Sequence, residues 1–341
     1  MTKCTVAASV ACLGMFLASA QAETRTLTIS VYGFAQDAYK KLVYDPFEGK
    51  CGCRLVVETG NSVERLAKME ANKADPVVDM AVVSMADALD AARRGLIDKI
   101  DVSRLGNFAK LYDIAKDPNG DDMSVGYTFY ATSIVYRSDK VKIDSWADLL
   151  SPGLAGHVAI PNVSTNQGPP TLYMLGRALG KDTPDLKGPI DAIGEHRNDI
   201  VTFYVRASQV VQLMSQEEIW AAPIGRFAWE GFRKIGLPVK WATPKEGQTG
   251  GMNVMVLTHG GKNQDLALAF MDFWLSTEIQ TALADKLVDS PANKEVVVAP
   301  EIAENLTYGE ETVMGLKLIP SAVALANREA WLSHWNEVVG Q

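Results

Sequence analysis

The chain has 341 residues, a net charge of −8 and 47% hydrophobic residues. That length exceeds what one compact core usually organises and fits two domains. The acidic balance leaves no basic stripe to replace phosphate counterions, so nucleic acid is excluded as a partner.

Lys3, the apolar run Val6 to Leu17 and the small-x-small triplet Ala20-Gln21-Ala22 read as a secretory signal peptide over residues 1–22, with Glu23 as the mature start and the periplasm as destination. The run is too short to span a bilayer, which needs about 20 residues. Cys4 and Cys12 leave with that segment, so Cys51 and Cys53 are the remaining cysteines. In an oxidising compartment they are the candidate for a small local disulfide. Two thiols without a neighbouring histidine make a poor zinc site, and no metal or cofactor is expected.

Thr26 to Tyr32 alternates like a strand and turns at Gly33 into a helix from about Gln36 to Glu48. Arg54 to Thr59 is a second strand, after which Asn61 and Glu64 form a helix-capping pair. Asp79 to Val83 is a third strand. Ser84 and Asp87 cap the next helix, Ala86 to Arg94, which Gly95 ends. Three strand–helix units in a row imply a largely parallel sheet, with ligands beyond the carboxyl ends of its strands.

Tyr127 to Arg137 is a long β-rich run without a following helix, the signature of a crossing between lobes. A second α/β series follows. Ser145 and Asp148 cap a short helix, His157 to Pro161 is a strand, and Asn162 to Gly168 leads into a helix ending near Gly180. Val201 to Val205 is a strand, Ser208 to Glu217 a helix and Glu218 to Pro223 a strand. Met252 to Leu257 is the second crossing strand, a long helix covers Asp265 to Leu287, and the last helix runs from about Ala322 to Val338. The pairs Gly250-Gly251 and Gly260-Gly261 read as turns. The division expected is 23–130 for the first segment of lobe 1, 131–250 for lobe 2, and 251–341 for the return strand, the rest of lobe 1 and the C-terminal helices.

The opening strand ending in Tyr32-Gly33-Phe34, the run Val56 to Leu66, Tyr130 to Arg137 at the first crossing and Ser145 to Leu150 after it resemble the bacterial extracellular solute-binding proteins. Gln209 to Ala222 and Pro244-Lys245-Glu246-Gly247 are similar to the spermidine/putrescine-binding branch. The resemblance implies an α/β, two-lobed type 2 periplasmic-binding-protein clamshell with crossing hinge strands. It also implies a monomer that captures a small-molecule ligand for the permease of an ABC importer in the inner membrane. Polyamine binders of this branch hold ammonium groups with acids at the second-lobe helix start and with a Trp and an Asp after the Pro-Lys-Glu-Gly turn. Here those places read Ser164-Thr165-Asn166-Gln167 and Gln248-Thr249-Gly250-Gly251, so a dication would lack its charge partners.

Two arginines at strand ends point instead to an anion. Arg206 follows Val201 to Val205, and Arg226 follows Trp220 to Gly225. A guanidinium fork matches a carboxylate or phosphonate. Thr165, Asn166 and Gln167 at a helix start are expected to add side chains and backbone N–H donors. Phe34, Ser62 and Ser84 complete the site from lobe 1, with Tyr130, Thr132, Ser133 and Asn253 near the hinge. Tyr32, Tyr204 and Trp229 are further candidate walls. An aromatic face also receives ammonium groups, so an ω-amino acid such as γ-aminobutyrate belongs to the expected class. The alternative is a polyamine. A ferric-iron binder is disfavoured by the lack of an adjacent tyrosine pair. No serine elbow, phosphate loop or metal-protease motif supports an enzyme.

Overall fold

A computed structural model describes Met1 and residues 24–340. The signal-peptide reading otherwise lies outside the described residues. Eleven strands are described: β1 (Thr26–Val31), β2 (Arg54–Thr59), β3 (Met80–Ser84), β4 (Ile97–Asp98), β5 (Val125–Arg137), β6 (Val158–Pro161), β7 (Ile200–Tyr204), β8 (Ala221–Gly225), β9 (Val239–Trp241), β10 (Thr249–Thr258) and β11 (Ser290–Pro291).

They form one sheet, eight of them in the order β2-β1-β3-β10-β5-β8-β6-β7, with β4 paired to β10 and β9 and β11 paired to β5. The outer blocks are parallel: β1 pairs with β2 and β3, and β6 with β7 and β8. Each block consists of strands that alternate with helices in sequence, as parallel pairing requires. Between them lie β5 and β10, antiparallel to each other and to their outer neighbours β8 and β3. β5 has 13 residues, about 43 Å at roughly 3.3 Å per residue, enough to run through both halves of the molecule.

The first half of β5 buries Val125, Tyr127 and Phe129 in a core shared with β1, β3 and β10. Its second half alternates, with Ile134 in one cluster and Val135 in another. The neighbours Ala159/Ile160 and Ala221/Ala222 split between the same two clusters, as side chains of successive strand residues must. Trp331 and Trp335 carry the C-terminal helix Ser321–Val338 into the Ile134 cluster. Arg328 of that helix reaches back to Asp87, beside the other core, at 3.7 Å.

Three local readings change. Gly250 and Gly251 lie within β10. A Cβ on Gly250 would sit 2.0 Å from the Tyr130 carbonyl oxygen, and one on Gly251 2.2 Å from the Tyr130 hydroxyl, so close approach to Tyr130 explains both glycines. The long helix expected over Asp265 to Leu287 is two helices, Gln264–Trp274 and Thr277–Asp285. Ser276 breaks it by accepting a hydrogen bond from the Ile279 amide. The first helix contains a π-helical stretch, Lys40–Tyr44, where α-helix was expected throughout. Asn61, Ser84 and Ser145 cap their helices as their sequence spacing implies. Cys51 and Cys53 form a disulfide at the end of the helix Asp45–Cys51, around Gly52 at φ 62°.

Candidate functional site

A cavity of about 660 Å³ opens where the two parallel blocks face each other across β5, within the size range of small-molecule sites. Seven of the twelve expected residues line it. Phe34, 55% exposed, stands at the rim, with Tyr130 and Asn253 on the crossing strands. Thr165, Asn166, Gln167 and Arg226 come from the other side.

Arg226 follows the last residue of β8 and is partly buried. Its guanidinium lies 4.6 Å from the centre of the Trp241 ring and 5.3 Å from that of Trp229. No carboxylate forms an ion pair with it among the described residues, and its Nε is buried without a hydrogen-bond partner in the protein. Burial pulls its pKa down to about 10, with the charge of Glu304 opposing and that of Arg233 adding. It is therefore cationic at neutral pH, desolvated and held by aromatic faces.

Gln167 is 7% exposed and accepts a hydrogen bond from Thr132 through Oε1 at 2.8 Å, which leaves its amide N–H₂ for the cavity. Thr165 is committed to its own loop, donating to the Asn162 carbonyl and accepting from the Gly168 amide. At the start of the helix Gly168–Ala178 the Thr165 and Gly168 amides are already bonded and Pro169 and Pro170 have none to offer, so of the expected backbone donors those of Asn166 and Gln167 remain.

Five expected residues stand outside the cavity. Thr132 and Ser133 are fully buried in β5, where Thr132 orients Gln167 and Ser133 donates to the Ala242 carbonyl. Ser62 sits behind the wall and donates to the Tyr32 hydroxyl at 2.9 Å. Ser84 caps the helix Met85–Arg93 and lines a neighbouring cleft with Arg328. Arg206 is exposed at the N-cap of the helix Ala207–Ser215 and does not reach the cavity. Its neighbours Val205 and Ala207 line the cavity, while the Arg206 side chain faces solvent.

Of the other wall candidates, Tyr32 and Tyr204 line the cavity, while Trp229 supports it from beneath Arg226. The Tyr32 ring rests on Arg65, 4.6 Å away and 2% exposed, whose guanidinium donates to the carbonyls of Ser30, Gly60 and Val82.

The sequence reading missed a recess at the far end. Tyr39, Tyr44, Tyr127 and Trp274 surround Asp289 there, and all line the same cavity. Tyr39 and Tyr44 stack at 6.2 Å although five residues apart. The π-helical turn between them puts i and i+5 on one face, which an α-helical period does not. Trp274 lies 5.2 Å from Tyr39 and 5.1 Å from Tyr127. Asp289, 6% exposed, accepts a hydrogen bond from the Tyr39 hydroxyl at 2.9 Å through Oδ1. Its Oδ2 has no partner within the protein. Burial pushes its carboxyl up to about 7, against the pull of the Tyr39 and nearby Thr128 hydroxyls. No lysine, arginine or histidine pairs with it among the described residues.

The family described as bacterial extracellular solute-binding protein matches residues 43–308. The spermidine/putrescine-binding periplasmic protein of Escherichia coli K12 is 25% identical, covering 98% of this chain and 93% of its own. A γ-aminobutyric acid-binding protein of Pseudomonas aeruginosa is 28% identical over a shorter stretch, 39% of this chain and 38% of its own. The crystal structure of an ABC transporter from Clostridium perfringens superposes with a TM-score of 0.84 at 30% identity, covering 92% of this chain and 99% of that one. With two α/β halves hinged on long strands and a solute-sized cavity between them, the chain belongs to the bacterial extracellular solute-binding proteins.

Proposed function

We propose that this protein is the periplasmic binding component of an ABC importer and that its cargo is a small organic solute carrying a carboxylate or phosphonate, gripped by Arg226. The desolvated, unpaired guanidinium of Arg226 on the cavity wall carries this reading. A cation buried without a counter-charge is costly, and an incoming anion restores that charge with directional hydrogen bonds. Gln167 presents its amide donors to the same space. Residues 1–22 serve as the export signal. Residues 23–130 and the chain after 250 form one lobe with the C-terminal helices, and 131–250 form the other. The ligand favours the closed arrangement by touching both. The closed monomer then docks on the permease.

A polyamine is the competing cargo, favoured by the likeness to spermidine/putrescine-binding proteins. Against it, one end of a dication would face Arg226.

Titration of the mature protein with short carboxylates, phosphonates and diamines tests the reading. An acid should bind, and Arg226→Ala should weaken it by thirtyfold or more, because truncating one partner of a buried charge pair costs about 2–5 kcal/mol. An acid bound equally well by Arg226→Ala refutes the assignment.

A further inference from the structure

We infer that the recess around Asp289 is a second charged subsite, which takes the ammonium end of the ligand, so that the solute is a short zwitterion with its amine at Asp289 and its acid at Arg226. This rests on the cavity being the solute site and narrows the cargo within that reading.

The geometry places the two charges on one edge of β5. β11 pairs with β5 through Ser290 opposite Phe129 and Pro291 opposite Thr128, which seats Asp289 just before the Phe129 rung. β8 pairs with β5 at Thr132, opposite Gly225, which seats Arg226 beside that one. Three residues separate Phe129 from Thr132, about 10 Å of strand, and Asp289 and Arg226 lie on the facing sides of those two rungs. Asp289 and Arg226 line the same cavity, whose volume of about 660 Å³ has room for a chain of a few carbons.

The recess offers an ammonium group an unpaired carboxylate oxygen and aromatic faces, beside one unpaired donor, the Trp274 indole N–H. One carboxylate oxygen is left without a protein partner. The rings of Tyr39, Tyr44, Tyr127 and Trp274 offer faces that attract cations. A second anion there would meet Asp289 itself. Leaving the Asp289 carboxylate ionised and unpaired in this surrounding is costly, and an ammonium group removes that cost. The resulting match is to opposite charges at the two ends of the cavity, which neither a plain acid nor a diamine supplies.

Isothermal titration of the mature wild-type protein would use ω-amino acids from 3-aminopropanoate to 6-aminohexanoate, each beside its matching fatty acid and diamine. At least one amino acid should bind tenfold or more tightly than both of its matches. Asp289→Asn, which keeps the side-chain shape and an acceptor for Tyr39, should bring that amino acid down to the affinity of the plain acid measured on the same variant.

Wild-type protein gives a second reading that needs no variant. Between pH 5.5 and 8 the amino acid should bind more tightly as Asp289 ionises, while the plain acid should not. The other titratable groups against Asp289 are the hydroxyls of Tyr39, Tyr44 and Tyr127, all pushed up by burial and neutral throughout that range.

If plain acids bind as tightly as amino acids, with Arg226→Ala losing both, the Asp289 subsite falls and the anion reading stands. If diamines bind, Asp289→Asn loses them and Arg226→Ala does not, the Arg226 reading falls and the subsite stands. If no amino acid of the series binds at millimolar concentration, the zwitterion proposal is overturned.

Discussion

Asp289→Asn should uncouple the stability of the unliganded protein from pH between 5 and 7. The carboxyl rises from an ordinary 3.8 to about 7 because it is buried beside tyrosines with no cation to pair with. A raised acid pKa means that the folded state holds the proton longer than the unfolded chain does. The stabilisation is complete below the unfolded value near 4 and is lost as pH rises through 7. Over the full interval three units correspond to about 4 kcal/mol, and the part between pH 5 and 7 to roughly 2 kcal/mol, since the group is half ionised at pH 7. For a chain of this size that is a midpoint difference of roughly 3–4 °C.

The assay is thermal unfolding of wild type and variant in parallel, with the difference taken at each pH so that every other titrating group cancels. Asp265, held near 2 by its ion pair with Arg25, is ionised throughout the window in both proteins. The wild type should lose ground to the asparagine variant as pH rises from 5 to 7 and hold level above. A difference that stays flat would mean an ordinary, solvated carboxylate, and the description of the recess would be wrong. Saturation with a ligand that places an ammonium group on Asp289 should flatten the curve in the wild type.

Arg206→Ala should leave ligand affinity within twofold, since that side chain is exposed outside the cavity. The same titration on Arg226→Ala supplies the contrast. Gly251→Ala should weaken binding by tenfold or more and lower stability by about 1–3 kcal/mol, measured by titration and denaturant unfolding, because the new methyl displaces the Tyr130 ring. Cys51→Ser with Cys53→Ser should cost about 1.5 kcal/mol in denaturant unfolding, the loop-closure value for so short a ring, with affinity unchanged. Arg65→Ala should destabilise by about 3 kcal/mol or more, because three buried carbonyls lose their donor and Tyr32 its support.

The fold was legible because its signals are local. Strand alternation and caps such as Ser84 on Asp87 follow from residues three or fewer positions apart. The two crossing strands stood out as β-rich runs with no helix after them. The site was legible only in part. Arg206 and Arg226 look alike in sequence, each just past a strand. Whether such a residue turns inward depends on where the strand ends and on what packs beneath it, here Trp229 and Trp241. Asp289 is one of 41 acidic residues, and nothing in its neighbourhood sets it apart from a loop acid on the surface. Its partners Tyr39 and Tyr44 share a face only through a π-helical turn that the helical period does not reveal.

Placing opposite charges on opposite halves has a consequence for how closure discriminates. Asp289 is tied to the first half of β5, whose side chains fill one core, and Arg226 to the second half, whose side chains fill the others. On this proposal a plain acid meets only one of the two charges, so it favours the closed form less than a zwitterion does. A diamine satisfies Asp289 but brings a second cation toward Arg226 as the halves approach, which opposes closure. On this proposal a solute that bridges the two charges gains a charge contact on closing that the other two classes lack. Selection then falls on the closing step rather than on first contact, and a permease that engages only the closed form would ignore protein that had picked up the wrong solute.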